Sequence, residues 1–180
     1  LSTAFASKKT APQLIMTPIE KMASSLGITI HPNTTVTHID PLDKKISSSS
    51  GDFYYSKLVL ALGADQMKLD LEGNAADQVL FINDLEDYQK FRDRIEGKRK
   101  ISILGAGLIG CEFANDLSLG GFDVDVIDLA PQVLGRLLPL AAAQVLQEKL
   151  SALGVTWHLS TTVHSMNHQI DQFKIELANG

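Results

Sequence analysis

The chain has 180 residues, of which 44% are hydrophobic, and a net charge of −5 at neutral pH. This composition is that of an ordinary globular protein of one or two domains, and its acidic balance gives no electrostatic argument for binding nucleic acid or an anionic membrane. No apolar run approaches the roughly 20 residues that a membrane-spanning helix needs, so no membrane insertion is expected.

The first part of the chain predicts one helix followed by short strands. Residues 17–20, Thr-Pro-Ile-Glu, have the pattern of a capping box and predict a helix from Pro18 to Ser25 that stops at Gly27. The strand signals that follow are short β-rich runs at residues 28–30 and 34–39, a hairpin at 45–47 and 52–55, and a buried strand at 57–62. Residues 65–82 are weakly periodic and are predicted to be a crossover between two units.

The second part predicts a parallel α/β unit. A second capping box at residues 83–86 begins a helix that runs to about Ile95. The elements predicted after it are strand, glycine loop, helix and strand over 100–128, a helix over 138–153, a strand over 155–159, and a hairpin from 163–166 and 173–177. The unit is therefore β-α-β-α-β with right-handed crossovers.

A glycine fingerprint lies between the first strand and helix of this unit. It reads Gly105-Ala-Gly107-Leu-Ile-Gly110. In such a fingerprint the first glycine permits a tight turn, the second lets the backbone approach a pyrophosphate, and the third lets helix and strand pack closely. The helix N-terminus then offers free N–H groups to the phosphates. We predict a dinucleotide site; the alternative is a glycine-rich turn in some other α/β domain.

Asp128 closes the next strand, 23 residues after Gly105. An acidic side chain at this place can accept hydrogen bonds from an adenosine ribose. Its charge repels a 2′-phosphate, and the following Leu129-Ala130-Pro131 contains no arginine to receive one. We therefore expect NADH rather than NADPH, unless Asp128 is only a solvated surface residue.

Three stretches resemble one family of enzymes. Residues 1–5 are similar to the segment that follows a Lys-Pro pair near the flavin, and residues 58–64 resemble the second flavin motif, with Leu62 in place of the usual threonine. Residues 105–116 resemble the NADH loop with its trailing glutamate. The family is that of the flavin-dependent pyridine-nucleotide oxidoreductases with the glutathione-reductase-type arrangement of two Rossmann-like domains. Within it, the chain most resembles the rubredoxin–NAD reductases of bacterial alkane oxidation.

The resemblance implies an α/β protein with two dinucleotide-binding domains, both truncated. Residues 1–64 would be the C-terminal part of the first FAD-binding segment, 65–97 a crossover linker and helix, and 98–180 an incomplete NADH-binding domain. The ends of the chain agree with a fragment, since it begins Leu-Ser-Thr without methionine and ends on the turn signal Ala-Asn-Gly. We expect the chain alone to be inactive, because the first flavin glycine motif is missing.

The resemblance also implies the residues on the flavin side. Val36 matches the position whose backbone holds the flavin adenine, and Ala61 and Gly63 match the strand end close to the flavin diphosphate. Glu112 matches the glutamate near the flavin ring and nicotinamide, which the family pairs with an upstream lysine that would lie just before Leu1. Without the resemblance, Val36 is as well explained as a core valine, and Glu112 as a surface residue of the first helical turn.

The function implied is electron transfer from NADH through FAD to rubredoxin or another small iron-containing carrier, in alkane hydroxylation. The cofactors carry this chemistry, so no catalytic side chain is predicted. The five histidines lack the spacing of a zinc site, so no metal ligand is predicted either. Two alternatives stay open. One is an NADH-dependent ferredoxin reductase or NADH oxidase-type flavoenzyme; the other is a non-catalytic module that binds NADH and FAD.

Cys111, the single cysteine, excludes a disulfide within the chain. A reducing cytoplasm is therefore the expected location. The thiol lies in the first turn of its helix, and two interpretations of its role are open. The helix dipole could lower its pKa, or the side chain could pack as a small buried hydrophobe behind the glycine loop, which is the interpretation we favour.

Overall fold

A computed structural model, which describes residues 1–67 and 69–180, divides the chain into two units. One consists of Ile15–Asp65, and the other joins Leu1–Leu14 to Gln66–Gly180. Lys68, in the predicted crossover, lies outside the described residues. The grouping of Leu1–Leu14 with the second unit is not visible in the sequence, and the predicted assignment of residues to two cofactor domains stays a prediction.

The smaller unit contains one helix and a three-stranded antiparallel sheet. After a 3-10 turn at Pro12–Leu14, which belongs to the other unit, the elements are α1 (Ile19–Leu26), β1 (Val36–Asp40), β2 (Lys45–Ser48) and β3 (Gly51–Tyr54), with strand order β1-β2-β3. The predicted helix and hairpin are confirmed. The predicted capping box at residue 17 is wrong, because α1 begins one residue later with Pro18 as its N-cap, and proline has no side-chain acceptor.

Two predicted strands, at residues 28–30 and 57–62, are wrong. Both segments lie outside the strands of the smaller unit, and the second is exposed: Val59 is 85% exposed and Leu62 is 86% exposed. An apolar run becomes a buried strand only where neighbouring strands take up its backbone N–H and C=O groups on both sides. Within the described residues no strand pairs with 57–62.

The larger unit is built on a parallel sheet with the order β4-β5-β6. In chain order its elements are a 3-10 turn (Ala76–Gln78), α2 (Leu85–Ile95), β4 (Lys100–Leu104), α3 (Leu108–Leu119), β5 (Asp123–Asp128), α4 (Leu140–Ser151), β6 (Val155–Leu159) and the hairpin β7 (Val163–Gln169) with β8 (Gln172–Leu177). The predicted β-α-β-α-β unit and the terminal hairpin are confirmed. None of the helices in the described part of the chain has the length and apolar character that a bilayer crossing requires.

The core of this unit lies between the sheet and its helices. Its largest fully buried side chains belong to α2, α3, β5 and the loop after β5: Tyr88, Leu117, Val124, Val126 and Val133. Alternate residues of β5 face this core, as a strand period of two requires. The neighbouring Asp125 faces the other side of the sheet, where it pairs with the Lys100 ammonium at 2.7 Å.

The N-terminus of α2 is capped one residue later than predicted. The Asp84 carboxylate accepts the Asp87 amide at 2.8 Å, and the Asp87 carboxylate accepts the Asn83 amide at 3.2 Å. The sequence pattern places a capping box on Asn83 and Glu86. Asp84 and Asp87 have the same three-residue spacing, and aspartate and asparagine are equally good caps, so the pattern alone does not distinguish the two positions.

Helix α3 lies close to the end of β4 and the residue after it at Gly110. A Cβ atom on Gly110 would overlap the carbonyl oxygen of Gly105 and lie 3.7 Å from Cγ2 of Ile103. A side chain at this position would therefore push the helix off the glycine loop, which we define as residues 105–110.

We expect Gly110→Ala to lower the free energy of unfolding by about 1–3 kcal/mol, because the added methyl group meets backbone that cannot move aside. Helix propensity alone predicts the opposite sign, since alanine in a helix is more stable than glycine by about 0.5–1 kcal/mol. Gly107→Ala is the control, because a Cβ at Gly107 meets nothing within 4 Å. Denaturant unfolding of both variants measures the difference, and a stabilised Gly110→Ala variant would contradict the close approach.

Candidate dinucleotide-binding site

The glycine loop turns sharply at the end of β4 and leaves open space in front of α3. Gly105 has a φ of 114°, a conformation that side chains other than glycine rarely adopt, and its amide donates to the Ile127 carbonyl of β5 at 2.8 Å. Gly107 is the N-cap of α3, with an extended backbone at φ −75° and ψ −173°. A Cβ at Gly107 would meet no atom within 4 Å, so this glycine faces an opening that a ligand can enter.

The N-terminus of α3 has no protein side chain as a cap in the described part of the chain. The first amides of a helix have no partner within the helix, and the aligned peptide dipoles place partial positive charge there. Leu108 and Ile109 at this end are 53% and 64% exposed. An uncapped, accessible helix end beside a glycine with free space in front of it fits a pyrophosphate.

Asp128 holds the middle of the glycine loop as well as the turn after β5. One carboxylate oxygen accepts the Ala106 amide at 2.5 Å, and the other accepts the Ala130 amide at 2.6 Å. Asp128 is therefore more than a solvated surface residue. A carboxylate oxygen has two lone pairs, so each can still accept a ribose hydroxyl beside its backbone donor. The backbone role was missed from the sequence, which shows no donor for this side chain.

Glu112 is the fifth residue of α3, just past the first turn in which the sequence places it, and it is exposed. Its carboxylate accepts the Ser2 hydroxyl at 2.6 Å. One helical turn further on, Asp116 is buried and accepts the backbone amides of Phe5 and Ala6. Asp116 was missed from the sequence, where its only signal is a carboxylate between the apolar residues of a helix.

The predicted flavin-side residues other than Glu112 belong to the smaller unit. Val36 is the first residue of β1 and is 49% exposed, so it is not a core valine. Ala61 and Gly63 lie in the exposed segment that follows β3, and Gly63 has a positive φ of 71° with open space at its Cβ position. These residues are exposed, and their roles toward FAD stay predictions.

Cys111 packs behind the glycine loop. Its side chain is 5% exposed, and its thiol lies 3.4 Å from the Ala106 carbonyl oxygen, to which it donates. Burial, and secondarily the negative charge of Asp128, raise the pKa of the thiol to about 11 from its ordinary value of 9.0. The possibility that the helix dipole lowers this pKa is therefore wrong, and the packing role is confirmed.

We expect Asp128→Ala to weaken NADH binding by about 10- to 100-fold, because the ribose loses hydrogen bonds to a charged acceptor and the loop loses its hold on Ala106. Fluorescence titration of the intact protein with NADH measures this. Asp123→Ala is the matched control, since Asp123 begins the same strand and forms only an exposed pair with Arg99. Equal affinity in the two variants would contradict a nucleotide role for Asp128.

We expect Cys111 to resist alkylation in the folded protein. With the pKa raised to about 11, the thiolate fraction at pH 8 is about 100-fold below that of a thiol at 9.0. Because the folded value is the higher one, the folded state holds this proton more tightly. The resulting stability is full below pH 9 and is lost as the pH rises toward 11. Iodoacetamide labelling with and without denaturant measures the contrast; rapid labelling of the folded protein would refute it.

The whole chain matches known proteins of one family. A family model described as pyridine nucleotide-disulphide oxidoreductase matches residues 1–180. The Rubredoxin-NAD(+) reductase of Alcanivorax borkumensis is 42% identical over 181 residues, which cover 100% of this chain and 47% of that protein. The chain thus spans about half the length of this relative.

Solved structures agree with the family match. A ferredoxin reductase from Rhodopseudomonas palustris superposes with a TM-score of 0.87 at 29% identity, covering 99% of this chain and 45% of that chain. A water-forming NADH oxidase from Lactobacillus brevis, bound to NADH, gives a TM-score of 0.86 at 26% identity, covering 100% of this chain and 42% of that chain. These matches confirm the α/β class and support the expected use of NADH and FAD. Since the family model covers every residue from first to last, the chain belongs to the pyridine nucleotide-disulphide oxidoreductases.

Proposed function

We propose that this chain is the central part of an FAD-dependent reductase that takes electrons from NADH and passes them through FAD to rubredoxin. The observation that carries the proposal is the glycine loop itself. The uncapped N-terminus of α3 follows directly on the glycine loop, and the Asp128 carboxylate accepts the Ala106 amide within that loop. Pyrophosphate and ribose are the two parts of a dinucleotide that such a pair can bind.

NADH is favoured over NADPH by charge. Asp128 presents a carboxylate where a 2′-phosphate would lie, and the residues after it, Leu129, Ala130 and Pro131, carry no positive charge. The similarity to an oxidase bound to NADH agrees with this choice. The protein would therefore bind the dinucleotide that has a free 2′-hydroxyl.

The residues on the flavin side bind and orient rather than react. When bound, FAD supplies the step that converts hydride transfer into single-electron transfer. We assign Val36, Ala61 and Gly63 to contacts with the adenine and diphosphate ends of FAD, and Glu112 to the place where flavin ring and nicotinamide meet. Cys111 takes no part in this chemistry, because burial and a pKa of about 11 keep its thiol protonated.

Rubredoxin is the acceptor favoured by the relative at 42% identity over the whole chain. The similarity to a ferredoxin reductase at 29% identity keeps another small iron-containing carrier as the second candidate. The oxidase at 26% identity makes direct oxidation by dioxygen a third outcome to measure. We place the protein in the cytoplasm, where a free thiol such as that of Cys111 stays reduced.

The test is stopped-flow mixing of the intact flavin-loaded protein with NADH and, separately, with NADPH. We expect bleaching of the oxidised flavin by NADH, and much slower bleaching by NADPH, because Asp128 repels the 2′-phosphate. Steady-state turnover with rubredoxin, ferredoxin and dioxygen then ranks the acceptors. Absence of bleaching would leave only the non-catalytic binding module, and bleaching without turnover on rubredoxin would overturn the choice of acceptor.

A further inference from the structure

The first nine residues contact the helices of the larger unit, to which they belong, at three points. Ser2 bonds to Glu112, the backbone of Phe5 and Ala6 bonds to Asp116, and the Lys9 carbonyl accepts from Tyr88 and Arg92 of α2. Ala4, between the first two points, is 2% exposed. The segment is thus folded onto α3 at one end and onto α2 at the other.

Asp116 forms the central attachment. It is 3% exposed, and one of its carboxylate oxygens accepts the Phe5 amide at 2.6 Å while the other accepts the Ala6 amide at 3.0 Å. A buried carboxylate is unfavourable unless both oxygens are hydrogen-bonded, and charge-assisted bonds of this length are among the stronger ones in proteins. The two consecutive amides therefore have a defined position relative to α3.

The Phe5 side chain strengthens this attachment. Its ring makes edge contacts with Phe91 of α2 at 6.1 Å and with Phe122 at 5.2 Å between centroids, and the Arg92 guanidinium lies 5.3 Å from its centre. Gly120, at the end of α3, leaves room for the ring, since a Cβ there would approach Phe5 to 3.1 Å. Backbone and side chain of the same residue are therefore fixed together.

The Ser2 hydroxyl contacts Glu112, which lies one helical turn before Asp116 in α3. Residues four apart on a helix lie on the same face, so α3 presents Glu112 and Asp116 one above the other to this segment. Glu112 is otherwise exposed, and an exposed glutamate samples many rotamers. The 2.6 Å bond from the Ser2 hydroxyl selects one carboxylate position among them.

We propose that Ser2 and Asp116 are positioning residues: Asp116 fixes the backbone of residues 5 and 6 on α3, and Ser2, carried by that backbone, orients the Glu112 carboxylate toward the nicotinamide and flavin. The inference rests on the proposed function, which puts Glu112 where the two rings meet. It adds that the Ser2 hydroxyl and the buried Asp116 carboxylate control how the Glu112 carboxylate is aligned with the two rings.

The experiment compares four variants of the intact flavin-loaded protein. Ser2→Ala removes the donor to Glu112, and Ser2→Thr keeps a hydroxyl. Ser7→Ala is the matched control, because the Ser7 hydroxyl bonds only to carbonyls of its own segment. Asp116→Asn keeps the shape of the buried side chain but places an amide N–H against one of the two backbone donors. The measurements are the limiting rate of flavin reduction, the NADH dissociation constant and the exchange rates of the residue 5 and 6 amides.

We expect Ser2→Ala to lower the limiting rate about 5- to 10-fold with the NADH dissociation constant unchanged, as loss of one solvent-exposed hydrogen bond of ordinary strength would. Ser2→Thr should restore the rate, and Ser7→Ala should match the parent protein. Asp116→Asn should speed exchange of the two amides and slow reduction. Should Asp116→Asn fail to fold, the serine variants still decide whether Ser2 orients Glu112.

Three results would overturn the inference. Equal rates for Ser2→Ala and Ser7→Ala, while the parent protein is bleached by NADH, would remove the positioning role and leave the proposed function intact. A lower melting temperature for Ser2→Ala without any change in limiting rate would mean that the bond only stabilises the fold. A parent protein that NADH does not bleach would instead refute the proposed function, and this inference with it.

Discussion

The close approach of α3 to the glycine loop at Gly110 is the constraint on which the larger unit depends. Because the third residue of the helix has no side chain, the helix backbone lies directly against the Gly105 carbonyl. That contact sets the direction of the helix axis. Its uncapped N-terminus then faces the opening beside Gly107, and its flank carries Glu112 and Asp116 toward the first residues of the chain. A displaced helix would change both the opening beside Gly107 and the contacts with residues 1–9.

Carboxylates of the larger unit hold backbone in place around this helix. Asp128 accepts hydrogen bonds from the amides of Ala106 and Ala130, and Asp116 accepts them from the amides of Phe5 and Ala6. Each bridges two consecutive or nearby amides that no sheet or helix uses. Backbone N–H groups away from water need such acceptors, and an ionised carboxylate satisfies two at once. Acidic side chains thus order loops here, in addition to the ligand role proposed for Asp128.

The elements predicted well are those whose signal is local. The apolar strand into Gly105, the helix behind it and the strand ending at Asp128 each carry a hydrophobic period or a glycine at a turn that other residues rarely adopt. The segment 57–62 failed for the opposite reason. It has the composition of a buried strand. Burial of a strand depends on neighbouring strands in a sheet, however, and an apolar run carries no information about those neighbours. The cap of α2 shifted by one residue because the adjacent Asn83 and Asp84 can both serve as caps, whereas α1 begins after Pro18, which has no side-chain acceptor.

The amino-acid sequence by itself determined the class of the fold, the family and the place of the glycine loop, because glycine spacing and hydrophobic period act through neighbouring residues. Only the tertiary structure decided that Asp128 holds the Ala106 amide, that Cys111 is a packed thiol of raised pKa, and that Ser2 reaches Glu112 across 110 positions of sequence. These contacts join residues from distant parts of the chain, and their geometry exists only after the helices have packed on the sheet.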